Sequence, residues 1–177
     1  MNTLEIQQEL DKSRNKNIIK KYFNNFKSIL EEKGFFKKGV LTKGSDYSED
    51  DLFYELIDDG IDLYLSRDLI SHAVLNKLSK ETNIFLRDIF LELAPEDDIF
   101  RFSVYRDYTG EKHTDYPDFF MQPDTENFGT VSNEILIQTD KCLEELRNEI
   151  YNLANRLFDF KEKIENTKNI KNNIKLV

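Results

Sequence analysis

The stretch FRFSVYRDYTGEKHTDYPDFF carries the side chains of this sequence that are best suited to chemistry, Arg106, Asp107 and His113. An imidazole can accept or release a proton near neutral pH, and a guanidinium can hold a phosphate through two hydrogen bonds. On a helix, a spacing of seven residues is nearly two turns, so Arg106 and His113 would share a face. Asp107 would orient either side chain. These residue types predict an RNA-cleaving or RNA-binding site, and the alternative is an ordinary solvated turn.

A second arginine and histidine pair occurs in the stretch SRDLISH, with Arg67, Asp68 and His72. A spacing of five residues on a regular helix rotates two side chains by about 140°, so this pair would diverge. Leu69 and Ile70, which lie between them, are expected in the core. We therefore rank this pair below Arg106 and His113.

The sequence has no glycine-rich phosphate loop, no nucleophile elbow and no zinc-binding helix motif. Cys142 is the single cysteine, which excludes a disulfide within the chain, and we expect it to be a small buried side chain. No cofactor or metal is therefore expected. No apolar run approaches the length that spans a bilayer, and no signal-peptide pattern is present, so a cytoplasmic protein without a membrane segment is predicted.

The positions of apolar residues predict mainly helices. They indicate one helix over residues 3–33 that ends before Gly34, a second from Leu52 to Leu78, and a third over residues 82–93. Ser132 is suited to cap the last helix, which would run to about Phe160.

The segment IFRFSVY allows two interpretations. Its apolar residues alternate at Phe100, Phe102 and Val104, as in a strand, but Ile99, Phe102 and Tyr105 would also share a helix face. We favour the helix because the sequence offers no clear second strand to pair with it. The predicted fold is all-α: an antiparallel bundle of four to five helices, with a long irregular loop over residues 114–131 before the last helix.

The formal net charge of −9 is unevenly distributed. Residues 1–43 carry ten Lys and Arg against five Asp and Glu, residues 44–160 carry ten against twenty-seven, and residues 161–177 carry five against two. These ranges predict a basic N-terminal helix and loop, a helical bundle domain and a basic tail. The acidic middle opposes non-specific binding to nucleic acid, because neutralisation of phosphates drives most of that affinity.

The stretch RDYTGEKH, followed by the long helical stretch SNEILIQTDKCLEELRNEIYNLANRLFDF, resembles the HEPN domains of abortive-infection systems. The resemblance covers the organisation of about residues 50–160. It implies an all-α bundle that dimerises and brings two motifs to one cleft, and a metal-independent endoribonuclease or RNA-binding toxin of a bacterial or phage-defence system. It also implies that Arg106 contacts the scissile phosphate, that His113 is the acid and base, and that Asp107 supports them.

The acidic middle also supports a function of another class. Residues 44–160 have a net charge of −17, and such a surface can mask a basic protein by charge complementarity. The alternative prediction is therefore a non-enzymatic interaction protein, such as an antitoxin, an immunity protein or a phage-encoded inhibitor, that binds a basic partner.

Overall fold

The protein combines an antiparallel sheet with helices that pack on one of its faces. We describe residues 2–43, 47, 49–93, 99–106, 109–117, 120 and 132–176 of a computed structural model. The helices are α1 (Thr3–Leu10), α2 (Ser13–Glu32), α3 (Arg67–Lys77), α4 (Lys80–Leu93) and α5 (Asn133–Leu176), and a short 3₁₀ turn covers Glu49–Asp51. The strands are β1 (Leu52–Ile57), β2 (Gly60–Ser66), β3 (Ile99–Arg106) and β4 (Lys112–Asp115).

The four strands form one sheet in the order β1-β2-β3-β4, and each neighbouring pair is antiparallel. The all-α bundle predicted from the sequence is therefore wrong, and the fold is mixed α/β. The predicted helix from Leu52 to Leu78 is instead the β1–β2 hairpin followed by α3. The predicted helix over IFRFSVY is β3.

The β1–β2 hairpin turns through Asp58 and Asp59, with Ile57 opposite Gly60. Gly60 also lies opposite Tyr105 of β3, and a Cβ atom at residue 60 would lie 2.0 Å from the carbonyl oxygen of Val104. No side chain fits at that distance, so glycine is required for β2 and β3 to pair at this end of the sheet.

Alternate residues of the strands form the core. The buried residues on the face of the sheet that meets the helices are Leu52, Leu56, Ile61, Leu63, Leu65, Phe100, Phe102 and Val104. Burial of each such side chain contributes about 2 kcal/mol relative to exposure. In β3 the buried residues are Phe100, Phe102 and Val104, the same residues that alternate in the sequence. This alternation is the periodicity of a strand.

The longest helix, α5, covers this core. Its 44 residues extend over about 66 Å at the usual rise of a helix. Ser132 caps it as predicted, because its hydroxyl accepts a hydrogen bond of 3.3 Å from the backbone N–H of Ile135. The buried residues of α5 recur at helical spacing at Leu143, Leu146, Ile150, Leu153, Ala154, Leu157 and Phe158.

Cys142 of α5 is also buried, with 4% of its surface exposed, as predicted. Burial raises the pKa of its thiol to about 12. The cysteine is therefore a neutral part of the core at physiological pH.

The N-terminal segment forms two helices rather than the single helix predicted, with a break at Asp11 and Lys12. The predicted stop at Gly34 is confirmed. Gly34 has a φ of 82°, and the N–H of Phe35 donates to the carbonyl of Leu30 at 2.9 Å, which closes the end of α2.

Among the residues described, no helix combines the length and the apolar character that crossing a bilayer requires.

Candidate functional site

Arg106 and His113 lie on neighbouring strands but on opposite faces of the sheet. Arg106 of β3 is paired with Lys112, and His113 of β4 is paired with Tyr105. Residues directly opposite each other in an antiparallel pair share a face, and successive residues alternate between faces. The prediction that Arg106 and His113 share a helix face is therefore wrong. Asp107 lies outside the described residues.

Arg106 lies on the face that meets α5, where its charge is engaged. Its guanidinium forms an ion pair with Glu162 and lies 5.7 Å from the ring centre of Phe158. Lys112 approaches the same two residues, at 3.9 Å from a carboxylate oxygen of Glu162 and 5.5 Å from the Phe158 ring, and it also pairs with Asp159. This cluster holds the paired ends of β3 and β4 on α5. The charge of Arg106 therefore serves to attach the sheet to the helix.

Lys161 lies beside this cluster and is almost fully buried, with 5% of its surface exposed. Its ammonium donates a hydrogen bond of 3.4 Å to the carbonyl of Gly60. Burial lowers the pKa of Lys161, and the effect exceeds the opposing attraction of Glu165 and Asp59. A small pocket beside Lys161 is lined by charges of both signs. Its lining residues are Asp58, Asp59, Arg106, Phe158, Lys161, Glu162 and Glu165.

His113 lies on the other face of the sheet, which we call the outer face. There its ring contacts that of Tyr105 edge-on. The strand register arranges the side chains of the outer face in three rows across the strands. The first row is Phe53, Tyr64 and Arg101, the second is Glu55, Asp62, Ser103 and Asp115, and the third is Ile57, Gly60, Tyr105 and His113.

The middle row of the outer face holds three carboxylates, and hydroxyl groups orient them. Ser103 donates to Asp62 at 2.6 Å, and Tyr64 donates to Glu55 at 3.0 Å. Tyr105 donates to Asp115. Asp62 is 5% exposed, so its charge is held among these donors, whereas Glu55 and Asp115 are exposed.

The two tyrosines next to the middle row respond to its charge. Burial and the hydrogen bond to Glu55 raise the pKa of Tyr64, and the hydrogen bond to Asp115 raises the pKa of Tyr105. In both cases a nearby carboxylate opposes formation of a second negative charge. Both tyrosines are therefore neutral hydrogen-bond donors at physiological pH.

Aromatic rings flank the acidic row on both sides. Phe53 and Tyr64 are stacked with ring centres 4.7 Å apart and planes inclined by 10°. Phe53 is 37% exposed, which makes it the most accessible ring of the outer face. Within the described part of the chain, the hydrogen bonds and ring contacts of these side chains join them only to one another.

The charge of the outer face is negative, with three carboxylates against the single guanidinium of Arg101. Among the residues described, no group of three or more His, Cys, Asp or Glu side chains is arranged to hold a metal ion. The outer face therefore offers acidic and aromatic groups for binding, and it carries His113 without Arg106, the arginine of the predicted phosphate-binding pair.

The second arginine and histidine pair lies on α3. Arg67 begins α3, His72 lies on the exposed side of the same helix, and the two residues between them that were expected in the core, Leu69 and Ile70, are buried. The imidazole Nδ1 of His72 forms a hydrogen bond with the hydroxyl of Tyr47. His72 thus holds Tyr47 against α3.

No protein-family model matches the sequence, and no curated protein or solved structure matches it. The HEPN resemblance of RDYTGEKH and the helix that follows is thus without support from a family model.

The outer face is not among the sites predicted from the sequence. The signal that was present is a period of two: Phe53 and Glu55, Asp62 and Tyr64, then Arg101, Ser103 and Tyr105, then His113 and Asp115. These positions alternate with the core positions of the same strands. Once the segments are recognised as strands, the acidic and aromatic face follows from the sequence.

Proposed function

We propose that the protein is a non-enzymatic binding protein whose outer sheet face takes an arginine-bearing surface of a basic protein partner. The observation that carries this proposal is the row of Glu55, Asp62 and Asp115, in which Glu55 and Asp115 are exposed, between two rows that contain aromatic rings. Antitoxins, immunity proteins and phage-encoded inhibitors are the kinds of protein that would use such a face.

The combination of groups favours arginine over lysine. A guanidinium can form two parallel hydrogen bonds to a carboxylate and can also stack on an aromatic ring, whereas an ammonium is a compact charge. Phe53 offers a ring beside the carboxylate of Glu55 on the same strand, and Tyr105 lies beside Asp115 on the next strand. The charge of the face therefore attracts a basic partner, and its rings select among basic side chains.

The endoribonuclease and RNA-binding hypothesis has less support from the geometry. It needs a guanidinium and an imidazole on one phosphate, but Arg106 pairs with Glu162 on one face and His113 contacts Tyr105 on the other. The HEPN family, an RNA substrate, an RNA-cleaving role of Arg106, Asp107 and His113, and a homodimer all stay predictions.

A cytoplasmic location belongs to the same proposal. Cys142 is a buried free thiol, which suits a compartment that keeps thiols reduced.

Two peptides of equal length and charge, one with arginine and one with lysine, test the proposal. Binding is measured by fluorescence anisotropy over a range of salt concentrations. We expect the arginine peptide to bind about threefold more tightly, because of its contacts with the aromatic rings. The double variant Glu55→Gln, Asp115→Asn should weaken binding of the arginine peptide about tenfold. Both replacements retain an oxygen that accepts the tyrosine hydrogen bonds, so the face stays intact.

The matched control removes two exposed carboxylates elsewhere, in the variant Glu32→Gln, Glu144→Gln. It makes the net charge less negative by the same amount, and binding should change less than about twofold. Equal losses in the two double variants would show that net charge alone attracts the peptide, and they would overturn the proposed role of the outer face. Equal affinity for arginine and lysine peptides would overturn the role of the rings.

A further inference from the structure

A second binding feature lies at the edge of the sheet, apart from the acidic row. A groove of about 490 Å³ runs between α1, α2 and β1. The strand β1 lines it with Leu52, Phe53 and Tyr54. Because successive residues of a strand point to opposite faces, a groove that touches all three residues straddles the edge of the sheet and is not confined to one face.

The opposite wall of the groove is basic. Lys16, Lys20 and Lys27 of α2 line it, and the acidic residue of the lining is Asp11. Lys16 and Lys27 form no ion pair with another described residue. In a chain with a net charge of −9, a groove with three lysines against one aspartate is a local reversal of charge.

The floor of the groove is apolar and aromatic. The rings of Phe23 and Tyr54 lie with their centres 6.3 Å apart, and Ile19, which also lines the groove, is buried. The floor therefore suits side chains with apolar stems, while the lysines suit negatively charged ends.

The strand β1 is at an edge of the sheet, and within the described residues it pairs only with β2. An edge strand presents a row of N–H and C=O groups on its open side, and those groups can pair with an added strand. The row from Lys16 to Lys27 extends over about 16 Å along α2. That length matches about five residues of extended chain.

We propose that this groove binds an extended acidic segment of a partner protein, which adds to β1 as a further strand. Side chains at every second position of the segment face α2, so acidic residues at alternate positions meet the lysines. The open edge of β1 supplies backbone hydrogen bonds to the added segment, and the lysines of α2 favour a segment with negatively charged side chains. The groove shares Phe53 with the arginine-binding outer face, but its lysines and the open edge of β1 lie apart from the acidic row.

The open strand edge favours a peptide over single-stranded RNA. A basic groove with aromatic residues also suits RNA, because bases stack on rings and phosphates pair with lysines. RNA, however, cannot form the repeated N–H and C=O hydrogen bonds that continue a sheet. The test therefore includes an RNA probe.

The experiment uses the full chain and a labelled peptide of about seven residues that alternates glutamate and threonine. We expect it to bind, and the variant Lys16→Gln, Lys27→Gln should weaken binding about fivefold. The control Lys141→Gln, Lys163→Gln removes two exposed lysines of α5 and should leave the affinity within about twofold. A peptide of the same composition with all glutamates in one block should bind more weakly than the alternating peptide.

Two N-methylated peptides test strand addition directly. One is methylated at the glutamate amides and the other at the threonine amides, and in an added strand only one of the two sets faces β1. We expect one peptide to lose binding and the other to retain it. Equal loss in both peptides, or loss in neither, would overturn strand addition.

Two further outcomes would also overturn the proposal. One is oligouridylate that binds more tightly than the alternating peptide and depends on Lys16 and Lys27, which would assign the groove to RNA. The other is self-association of the chain, measured by sedimentation, that the same double variant abolishes, which would assign the groove to a second copy.

Discussion

Arg106 and His113 are carried by paired strands and yet lie on opposite faces of the sheet. Their separation follows from the register, in which Arg106 pairs with Lys112 and Tyr105 pairs with His113. The guanidinium secures the hairpin to α5 through Glu162, and the imidazole contributes to the outer face. The two residues resemble a catalytic motif in the sequence, but in the fold each contacts different residues on a different face of the sheet.

The separation predicts the result of an RNA cleavage assay. Cellular RNA is incubated without metal with the wild-type protein, with Arg106→Gln and with His113→Ala, and the products are separated by electrophoresis. We expect the three proteins to give the same result, because no phosphate can contact both side chains. Circular dichroism confirms that the variants are folded. Cleavage by the wild type that either variant lacks would contradict this expectation and restore the endoribonuclease hypothesis.

Gly60 is expected to be essential for the stability of the sheet. In Gly60→Ala the added Cβ would lie 2.0 Å from the carbonyl oxygen of Val104 and 2.8 Å from the Cα of Tyr105, and both contacts are with backbone. Overpacking of this kind costs about 3 kcal/mol in the free energy of unfolding, measured by urea denaturation.

Gly34→Ala is the matched control for that substitution. Gly34 has a φ of 82° and nothing within 4 Å of an added Cβ, so only its backbone conformation opposes alanine. The expected cost is about 1 kcal/mol. A smaller loss of stability in Gly60→Ala than in Gly34→Ala would show that β2 and β3 can separate at this end without consequence.

Lys161→Met is expected to stabilise the protein at neutral pH by about 1 kcal/mol. The pKa of Lys161 is lowered in the folded protein from an ordinary value of 10.5, so folding disfavours its charged form. Below the folded pKa this penalty is fully present. Between the folded pKa and 10.5 the unfolded chain binds more protons than the folded one, so the stability of the wild type rises with pH there.

The advantage of methionine at position 161 should therefore shrink as the pH rises through the folded pKa towards 10.5. Urea denaturation of both proteins at several pH values measures it. Lys163→Met, at an exposed position two residues further along α5, should show no such trend. A methionine variant that is less stable than the wild type at every pH would show that the contact of Lys161 with the Gly60 carbonyl outweighs its burial.

The helices were predictable where a local signal marks their ends. Ser132 caps α5 through a hydrogen bond to the N–H of Ile135, and Gly34 closes α2 with a positive φ. Both signals depend on residues within one turn of the helix end, so the sequence contains them. The break between α1 and α2 at Asp11 and Lys12 has no glycine or proline to mark it.

The sheet was missed because each of its strands is ambiguous alone. In β1, Leu52 and Leu56 suit a helix face as well as a strand face, and the exposed Phe53 conceals the alternation. The turn residues are Asp58 and Asp59, so the Asp59–Gly60 pair that would indicate a tight turn is shifted by one residue, and Gly60 already belongs to β2.

The segment of β3 shows the same difficulty at longer range. Its apolar residues alternate at Phe100, Phe102 and Val104, but the sequence shows no clear partner strand, which favours the helix. That partner is β2, whose Leu63 lies opposite Phe102. Pairing between segments almost forty residues apart depends on the whole chain, so it could not be read from either segment. The candidate site was missed for the same reason, because the outer face can be predicted only after its strands have been predicted.

The position of α5 in the chain has a consequence for biosynthesis. Its residues Leu143 to Phe158 cover the buried side of β2 and β3, and they are translated after the four strands described above. While the ribosome is still completing α5, the sheet would expose Leu63, Phe102 and Val104 to water. The nascent chain therefore needs this last helix before it can hold its shape, and a prematurely terminated product would become a target for chaperones and proteases.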